Sequence, residues 1–348
     1  MAYAVYEENL DDVRDEALAA LSATRDRPAD ERRYDWLYRR NPDGEAVLWS
    51  IRHEAAGELA GFTVVLPRRV LVDGEEHICW NGADFSIHRK YRALGVAVKL
   101  RRAAKEAIDL GRADFLYAHP NAKMQLIHQR VGHWPVGAMV RYAKPLRAAP
   151  YLRRRLHSPV LAAAAGSLVD AGWRLLRLGR RYQYAGELRV VESPEFDGRF
   201  DRLFDEAAAV RRVVGVRDAR YLRWRYAENP LYRTRAVLAE EAGRLRGYAL
   251  FTIDRGVAEV KDVLVAGNGP TERDLVARLI EHARGRALTS VSAVVLEGHP
   301  IIDTLNSFGF SRRPDGSQMF GYARHEDPLR DVVSNPDSWL VSVGDRDV

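Results

Sequence analysis

Hydrophobic and polar residues alternate in several short runs, and longer segments between them carry apolar residues every three to four positions. The alternating runs predict strands and the longer segments predict helices. In the first half the predicted elements are strands 46–52, 59–71, 77–88, 114–118 and 136–145 and helices 96–110 and 122–131. The second half gives the same series: strands 234–240, 244–254, 258–265, 290–296 and 317–323 and helices 272–286 and 301–308. The chain therefore contains two copies of one mixed α/β unit.

A short aromatic motif opens each copy. The stretches YDWLYRRNP and LRWRYAENP share W-x-Y-x-x-N-P, and Trp36 and Trp224 have the same separation as Asn41 and Asn229. One interpretation is a helix end, where asparagine adopts the left-handed cap and proline prevents continuation. The other is that the aromatic side chains line an acceptor pocket. The repeat itself establishes architecture and leaves the chemistry open.

Length and composition agree with two domains. The chain has 348 residues, 47% hydrophobic and 29% charged, which are values typical of a globular protein. We predict an α/β fold of two tandem domains, each with a mixed, mostly antiparallel sheet flanked by helices, joined by a basic helical connector. The predicted limits are 1–147 for the N-terminal domain, 148–184 for the connector, 185–325 for the C-terminal domain and 326–348 for a tail.

The positive charge is concentrated in the connector. Between Lys144 and Arg181 basic residues are frequent and Asp170 is the only acidic one, so this segment outweighs the +6 of the whole chain. Arginines beside Trp173 and leucines would suit peripheral contact with an anionic membrane. The alternative is a solvated helix packed between the domains. Binding to nucleic acid is a third interpretation, and the glycine turn at Arg92–Ala97 counts against it.

The remaining compositional features restrict location and chemistry. Cys79 is the only cysteine, so no intrachain disulfide forms and a reducing compartment is expected. The acidic N-terminal stretch lacks the features of a secretion signal, and no run reaches the roughly 18 apolar residues of a membrane span. We therefore expect a cytoplasmic protein. Because the histidines are scattered, no metal site is predicted.

A glycine turn between a predicted strand and a predicted helix carries the candidate chemistry. The stretch RKYRALGVAVKLRRA places Arg92, Gly95 and Ala97 immediately before an amphipathic helix. A helix N-terminus has unpaired N–H groups and the positive end of the dipole, which together favour an anion. Gly95 and the small Ala97 leave the backbone accessible. The turn is therefore either simply tight or a cradle for a phosphate.

This half resembles the GNAT acyltransferase superfamily, whose members carry R/Q-x-x-G-x-G/A between the fourth strand and the next helix. The family also shows an asparagine after the fifth strand, a tyrosine seven residues later and a Gly-Phe pair. Here Asn121 follows the fifth strand, His128 replaces the tyrosine, and Gly132 with His133 stands where Gly-Phe is expected. The resemblance implies acetyl-coenzyme A as cosubstrate, held by Ile87, Arg92, Leu94, Gly95, Val96, Ala97, Val98 and Asn121.

Two residues receive catalytic roles from the resemblance. Asp84 is the only carboxylate in the predicted segment 81–88, and it would accept the proton of the amine. His128 would protonate the departing thiolate, since an unperturbed histidine has a pKa near 6.5. The alternatives are an exposed aspartate at a strand end and a histidine on a helix face. We expect transfer by direct attack in a ternary complex.

The second copy lacks the cradle. Its turn contains Gly267 and Gly269, but Pro270 follows, and Glu272 and Asp274 occupy the first helical turn. These carboxylates complement the helix dipole and would repel a phosphate. We expect that the second copy binds no coenzyme A.

The ending NPDSWLVSVGDRDV looks like the tail of tandem GNAT proteins encoded with polysaccharide-biosynthesis enzymes. This points to a small-molecule or saccharide amine as acceptor. Two rival functions stay open: a non-catalytic acyl-CoA-binding protein, and a Fem-like transferase that uses aminoacyl-tRNA, against which the cradle counts.

Overall fold

The structure is a computed structural model that describes residues 3–24, 28–156, 158–175, 186–267, 270–313 and 317–347. Its strands are β1 (Tyr3–Glu8), β2 (Val47–His53), β3 (Leu59–Val72), β4 (Glu75–Ile87), β5 (Phe115–Ala118), β6 (Trp134–Pro145), β7 (Glu187–Val191), β8 (Val213–Gly215), β9 (Arg235–Glu241), β10 (Arg244–Asp254), β11 (Val257–Val265), β12 (Ser290–Leu296), β13 (Ser311–Arg313), β14 (Gln318–Ala323) and β15 (Trp339–Leu340). Its helices are α1 (Arg14–Thr24), α2 (Glu31–Tyr34), α3 (Leu94–Asp109), α4 (Ala122–Arg130), α5 (Ala149–Leu156), α6 (Pro159–Leu175), α7 (Gly198–Ala208), α8 (Ala219–Leu222), α9 (Thr271–Gly285), α10 (Ile301–Ser307) and α11 (Leu329–Ser334).

The mixed α/β fold expected from the sequence is confirmed. Every strand and helix predicted for the two copies is present, with ends that agree within about two residues. In the first copy β2, β3 and β4 are antiparallel and β5 joins β4 in parallel. In the second, β9, β10 and β11 are antiparallel and β12 joins β11 in parallel. Each copy therefore contains one parallel pair, formed by the third and fourth strands predicted for it.

The two copies share one sheet because they exchange their last strands. The order is β1-β2-β3-β4-β5-β14-β6-β12-β11-β10-β9-β7. The last strand of the second copy, β14, lies between β5 and β6 of the first. In return, β6 pairs with β12 along 139–145. The predicted limits of separate domains stay a prediction, and the hydrogen-bonded sheet crosses them.

The two aromatic motifs lie against each other. Each forms a π-helical turn, Asp35–Arg39 and Arg223–Ala227, directly after a short α-helix. The indole rings of Trp36 and Trp224 stack with centroids 5.2 Å apart. Each indole N–H donates to the main-chain oxygen of the other tryptophan, at 2.8 and 2.9 Å. The tryptophans therefore join the two copies, and neither lines the main cavity described below.

The asparagines of the motif do not adopt the left-handed cap expected of them. Neither Asn41 nor Asn229 has a positive φ. The Asn41 amide instead donates to the Pro67 oxygen at 2.8 Å, and the Asn229 amide donates to the Arg225 oxygen at 3.2 Å. These asparagines anchor the turn through side-chain hydrogen bonds, which satisfies backbone acceptors without a strained conformation.

The sheet of the first copy has two differently covered faces. On one face Phe62 and Val64 of β3 pack in a cluster with Tyr34 and Trp36 from the aromatic motif. On the other face Val65 packs in a cluster with Leu100 of α3. Adjacent residues of β3 serve these two layers because successive side chains of a strand point to opposite faces. Helix α3 and the aromatic motif therefore approach β4 from opposite sides.

The connector is helical where it is described. Helices α5 and α6 pack together, with Ala149 close to Gly166, and the Asp170 carboxylate accepts from the Ala148 N–H at 2.8 Å. Helix α6 leaves Val160 and Leu168 largely exposed. Arg180 and Arg181 lie outside the described residues. In the described part of the chain no helix combines the length and the apolar character that crossing a bilayer requires.

Candidate functional site

A cleft opens where β4 and β5 separate. The last residue pair of these parallel strands is Gly82–Ala118, whereas β4 continues to Ile87. A cavity of about 690 Å³ occupies the opening. Its mouth includes the exposed Arg92 and Asn121, and its buried end includes Ala118. Separation of two paired strands creates room between them that a sheet otherwise lacks.

Asp84 lies in a β-bulge beside this cleft. Two β4 residues, Ala83 and Asp84, face a single β3 residue between neighbouring pairs of the ladder. A bulge re-aims the side chains that it carries. Asp84 is 4% exposed, and its carboxylate accepts from the Arg33 guanidinium at 2.6 Å and from the Tyr38 hydroxyl at 2.5 Å. The aspartate is thus an ion-paired, buried carboxylate on the wall of the cavity.

The N-terminus of α3 reaches the same cavity. Its N-cap residue, Ala93, makes no side-chain capping bond, and the first intrahelical donor is the Ala97 N–H, which bonds the Ala93 oxygen at 3.2 Å. The N–H groups of the first turn therefore have no partner within the helix. A Cβ at Gly95 would meet no atom within 4 Å, so the backbone is open there. This geometry fits the phosphate cradle that the sequence indicates.

The residues predicted to bind the cofactor divide into two groups. Ile87, Arg92, Ala97 and Asn121 line the cavity. Gly95, Val96 and Val98 are not among the lining residues, and together with Leu94 they belong to the first turns of α3. Their expected contribution is through backbone N–H groups, which needs no side chain in the cavity. The roles of all eight residues stay predictions.

The Asn121 side chain is already used by its own helix. Its Oδ1 accepts from the N–H groups of Lys123 and Met124, both at 3.1 Å, and so caps α4. The exposed Lys123 also lines the mouth of the cavity. Two exposed cations, Lys123 of α4 and Arg92, therefore line this cavity.

His128 lies at the buried end of the cavity. Its Nδ1 is 2.9 Å from His133 Nδ1, so at most one of the two rings carries the shared proton. Its ring also contacts Phe320 of β14, which the second copy contributes. Burial and the positive charge of Arg101 lower the pKa of His128 well below its ordinary value. The His128 ring is therefore neutral at pH 7.

Three further groups line the cavity that sequence analysis did not select. They are Arg101 on α3, His119 directly after β5, and Asp347 near the end of the described chain. Both ring nitrogens of His119 are buried without a partner, and burial lowers its pKa to about 3. Burial and the charge of Asp84 raise the pKa of Asp347. Of the described residues, no three His, Cys, Asp or Glu side chains gather as metal ligands.

Residues 339–347 form the last part of the predicted 326–348 segment, and from here on only these residues are called the tail. The tail crosses from the second copy to the first. The Asp345 carboxylate accepts from Arg217 at 2.7 Å, and its main-chain oxygen accepts from the Asn81 amide at 3.1 Å and the Tyr117 hydroxyl at 3.0 Å. Two residues later, the Asp347 oxygen accepts from Arg33 at 3.1 Å. Arg33 therefore binds both Asp84 and the tail.

The tail also fills the corresponding cleft of the second copy. Pairing of β11 with β12 ends at Val260–Ala293, as pairing ends at Gly82–Ala118 in the first copy. Beyond that point the Val341 oxygen accepts from the Leu296 N–H, and the Ser342 hydroxyl donates to the Lys261 oxygen at 2.9 Å. The tail therefore takes up backbone groups that are exposed to the cavity in the first copy.

Comparison with known proteins supports the fold. No protein-family profile and no curated protein matches the sequence. Among solved structures, the chain is similar to a probable N-acyltransferase of unknown function from Enterococcus faecalis V583, with a TM-score of 0.67 and 12% identity over 93% of this chain and 73% of that one. It is also similar to a GCN5-related N-acetyltransferase from Anabaena variabilis, with a TM-score of 0.65 and 14% identity over 92% and 73%.

A third similar structure is N-myristoyltransferase from Saccharomyces cerevisiae, solved with bound myristoyl-CoA. The TM-score is 0.58 and the identity 10%, over 93% of this chain and 84% of that one. At such identities the likeness concerns architecture and does not carry over residues or substrates. It extends over nearly the whole chain, both copies included. The chain thus has the fold of the GNAT-type N-acyltransferases.

Proposed function

We propose that this chain is an acyl-coenzyme A-dependent N-acyltransferase whose reaction takes place in the cleft between β4 and β5. One observation carries the proposal. A single cavity joins the uncapped N-terminus of α3, which suits a diphosphate, to the buried carboxylate of Asp84, which suits an amine. The likeness in fold to N-acyltransferases supports it. In the second copy the tail occupies the corresponding cleft, and we propose that this copy binds no coenzyme A.

The donor would enter with its diphosphate at the first turn of α3. The N–H groups from Leu94 to Val98 would hold the phosphate oxygens, and Arg92 and Lys123 at the mouth would add positive charge. Backbone N–H groups beside the separated strands would polarise the carbonyl oxygen of the thioester. Coenzyme A supplies the activated acyl group as a thioester. Because the resemblance to the GNAT superfamily implies acetyl-coenzyme A, acetyl-CoA is the simplest donor to propose.

The acceptor would be a primary amine, with an amino sugar favoured by the sequence of the tail. The amine nitrogen attacks the thioester carbonyl, so a C–N bond forms and the C–S bond breaks. The proton leaving the amine passes to Asp84, directly or through water. Asp347, whose pKa is raised, lies in the same cavity and gives a second carboxylate near the amine. Both copies contribute to this site.

His128 would act on the departing thiolate, but as a hydrogen-bond donor and not as an acid that gives up its proton. A neutral imidazole does not release a proton readily near pH 7, and the pKa of His128 is lowered by burial and by Arg101. Its neutral N–H would therefore stabilise the thiolate by a hydrogen bond, with the proton taken up afterwards. Full proton transfer from His128 requires that bound ligand charge raise its pKa.

Calorimetric titration of acetyl-CoA and free coenzyme A tests the proposal. Gly95→Glu places a carboxylate in the cradle where the structure leaves room, so the fold is retained. Gly172→Glu is the matched control, since this helical glycine also meets no atom within 4 Å and lies outside the cavity. We expect one-site micromolar binding to the wild type and the control, and binding about a hundredfold weaker to Gly95→Glu.

Two results would contradict the proposal. If neither acetyl-CoA nor coenzyme A binds the wild type, the donor assignment fails, and salt-dependent binding of tRNA would become the next measurement. If Gly95→Glu binds as well as Gly172→Glu, the donor does not use the N-terminus of α3. Binding that is never followed by turnover with any amine would instead favour a non-catalytic acyl-CoA-binding protein.

A further inference from the structure

Arg101 is a buried cation with no anionic partner in the part of the chain that the structure describes. It lies on α3, is 2% exposed, and lines the cavity. Its Nη1 donates to the Thr63 hydroxyl at 3.3 Å, while Nε and Nη2 have no partner. Among the described residues no carboxylate forms an ion pair with it. Burial lowers its pKa to about 10, so it remains positively charged at neutral pH.

The surrounding backbone is shaped to admit this guanidinium. A Cβ at Gly82 would lie 2.6 Å from Arg101 Nη2 and 2.9 Å from the Ala118 side chain. Gly82 and Ala118 form the last pair before β4 and β5 separate. The absence of a side chain at Gly82 therefore lets the cation reach the inner end of the cleft. A buried charge without a counter-ion is strongly unfavourable, so a ligand charge is the natural compensation.

The unpartnered edge of the guanidinium selects a kind of anion. Nε–H and Nη2–H lie side by side on one edge of the planar group, and both are free. Two parallel N–H donors match the two oxygens of a carboxylate in a bidentate pair. The third nitrogen is fixed by Thr63, which holds the plane of the group. The site is thus prepared for a carboxylate that enters through the cavity.

The position of Arg101 assigns this carboxylate to the acyl donor. Arg101 follows Gly95 on the same helix by about 9 Å of rise, toward the buried end of the cavity. It lies on the face of the sheet that α3 covers. Asp84 bonds Arg33 and Tyr38 from the opposite side, where the amine would enter. A ligand whose diphosphate lies at the first turn of α3 therefore directs its acyl end to Arg101.

We propose that the acyl group transferred by this protein ends in a carboxylate, which Arg101 binds, so that the donor is a dicarboxylic acyl-CoA such as succinyl-CoA. This rests on the proposed function and replaces the acetyl group expected from the resemblance. The terminal carboxylate takes no part in bond making. The C–N bond forms and the C–S bond breaks at the other carbonyl, and the amine proton still passes to Asp84.

The test compares donors by calorimetry on the full chain. Wild type, Arg101→Met, Arg101→Lys and Arg102→Met are titrated with coenzyme A, acetyl-CoA and succinyl-CoA. Arg102 is the matched control because it is the exposed neighbour on the same helix. We expect the wild type and Arg102→Met to bind succinyl-CoA at least about tenfold more tightly than acetyl-CoA. Arg101→Met should bind both donors alike, and Arg101→Lys should retain part of the preference.

The outcomes separate this inference from the proposed function. Equal binding of acetyl-CoA and succinyl-CoA to the wild type overturns the inference while the proposed function stands. A preference for succinyl-CoA that survives in Arg101→Met overturns it as well, because another cation then binds the carboxylate. If no donor and no coenzyme A binds the wild type, the proposed function itself fails. The wild-type comparison and Arg101→Lys decide the matter even if Arg101→Met does not fold.

Discussion

The two copies carry the same carboxylate at the same bulge and use it differently. Asp84 lies where the ladder between β3 and β4 shifts register, and Asp262 lies at the corresponding shift between β10 and β11. Asp84 lines an open cavity, whereas Asp262 is bonded by Arg217 at 2.9 Å, Tyr248 at 2.9 Å and Ser342 at 3.2 Å. One structural position thus lines an open cavity in the first copy, where we propose that it serves chemistry, and anchors the tail in the second.

The helices that follow these strands differ in the same direction. Helix α3 begins with an uncapped turn that has no acidic residue, while α9 carries Glu272 and Asp274 in its first turn. Burial raises the pKa of both carboxyl groups, and the Thr304 hydroxyl donates to Glu272. The α9 terminus is therefore occupied by its own side chains. A repeated fold keeps its scaffold while one copy fills the site that the other leaves open.

The strongest test of this difference removes the negative charge in each copy. Asp84→Asn should lower kcat by about a thousandfold with the amine acceptor, since a general base typically contributes 10²–10⁴-fold. The Kd of the acyl-CoA donor should remain within about threefold, because the α3 terminus is unchanged. Steady-state release of thiol and calorimetry measure the two quantities.

Asp262→Asn is the matched variant in the second copy. It weakens a buried pair with Arg217, so we expect the free energy of unfolding to fall by about 3 kcal/mol, read from urea denaturation. The kcat of its folded fraction should equal that of the wild type. A large loss of kcat in Asp262→Asn alone would reverse the roles assigned to the two copies.

The stacked tryptophans test whether the copies depend on each other. Trp36→Ala or Trp224→Ala should each lower the free energy of unfolding by about 3–5 kcal/mol, because each removes a buried ring. The double variant should lose less than the sum, with a coupling of about 1 kcal/mol or more from the stacking and the reciprocal hydrogen bonds. Strict additivity in urea denaturation would show that the contact does not couple the copies.

Gly344→Ala tests how tightly the tail fills the second cleft. A Cβ there would lie 2.7 Å from the Lys261 oxygen, which belongs to backbone and cannot move freely. We expect a loss of about 1–3 kcal/mol in the free energy of unfolding. Gly172→Ala, which meets no atom within 4 Å, should instead stabilise its helix by about 0.5–1 kcal/mol. Equal stability of both variants would mean that the tail can shift without cost.

Sequence patterns predicted the local elements because alternation and helical period report which face of a segment is buried. They did not predict the strand exchange, since the pattern of β14 specifies its buried face and not its neighbours β5 and β6. The position of the tail was unpredictable for the same reason. Its motif was recognised, but its contacts with Asn81 and Tyr117 join residues far apart in sequence.

The candidate site was predictable in part. Asp84 and the turn before α3 were found by motif, whereas Arg33 and Tyr38 come from a distant segment that only the fold brings to Asp84. A signal for Arg101 existed in the sequence. It falls within the apolar stripe of α3 formed by buried Ala97, Leu100, Ala104 and Ile108. An arginine in such a stripe must be paired or wait for a ligand.

The smallest expected effect concerns a feature that the copies share. A His-Pro pair precedes α4 in the first copy and α10 in the second, and burial lowers the pKa of both His119 and His299 to about 3. Each histidine therefore stays neutral in the folded chain at pH values where the unfolded chain binds a proton, near 6.5 and below. The contribution of each neutral histidine to stability is then full above pH 6.5, and the free energy of unfolding falls by about 1.4 kcal/mol per histidine for each pH unit below it.

Urea denaturation at pH 7.5 and 5.5 should show a smaller pH dependence of the free energy of unfolding in His119→Gln and in His299→Gln than in the wild type. The exposed His88, changed to Gln, is the control and should leave the dependence unaltered. Equal effects in the two copies would show that their scaffolds respond alike to protonation although their clefts do not. An effect confined to His119 would instead trace the pH response to the open cavity, because His119 lines that cavity whereas the tail occupies the corresponding cleft of the second copy.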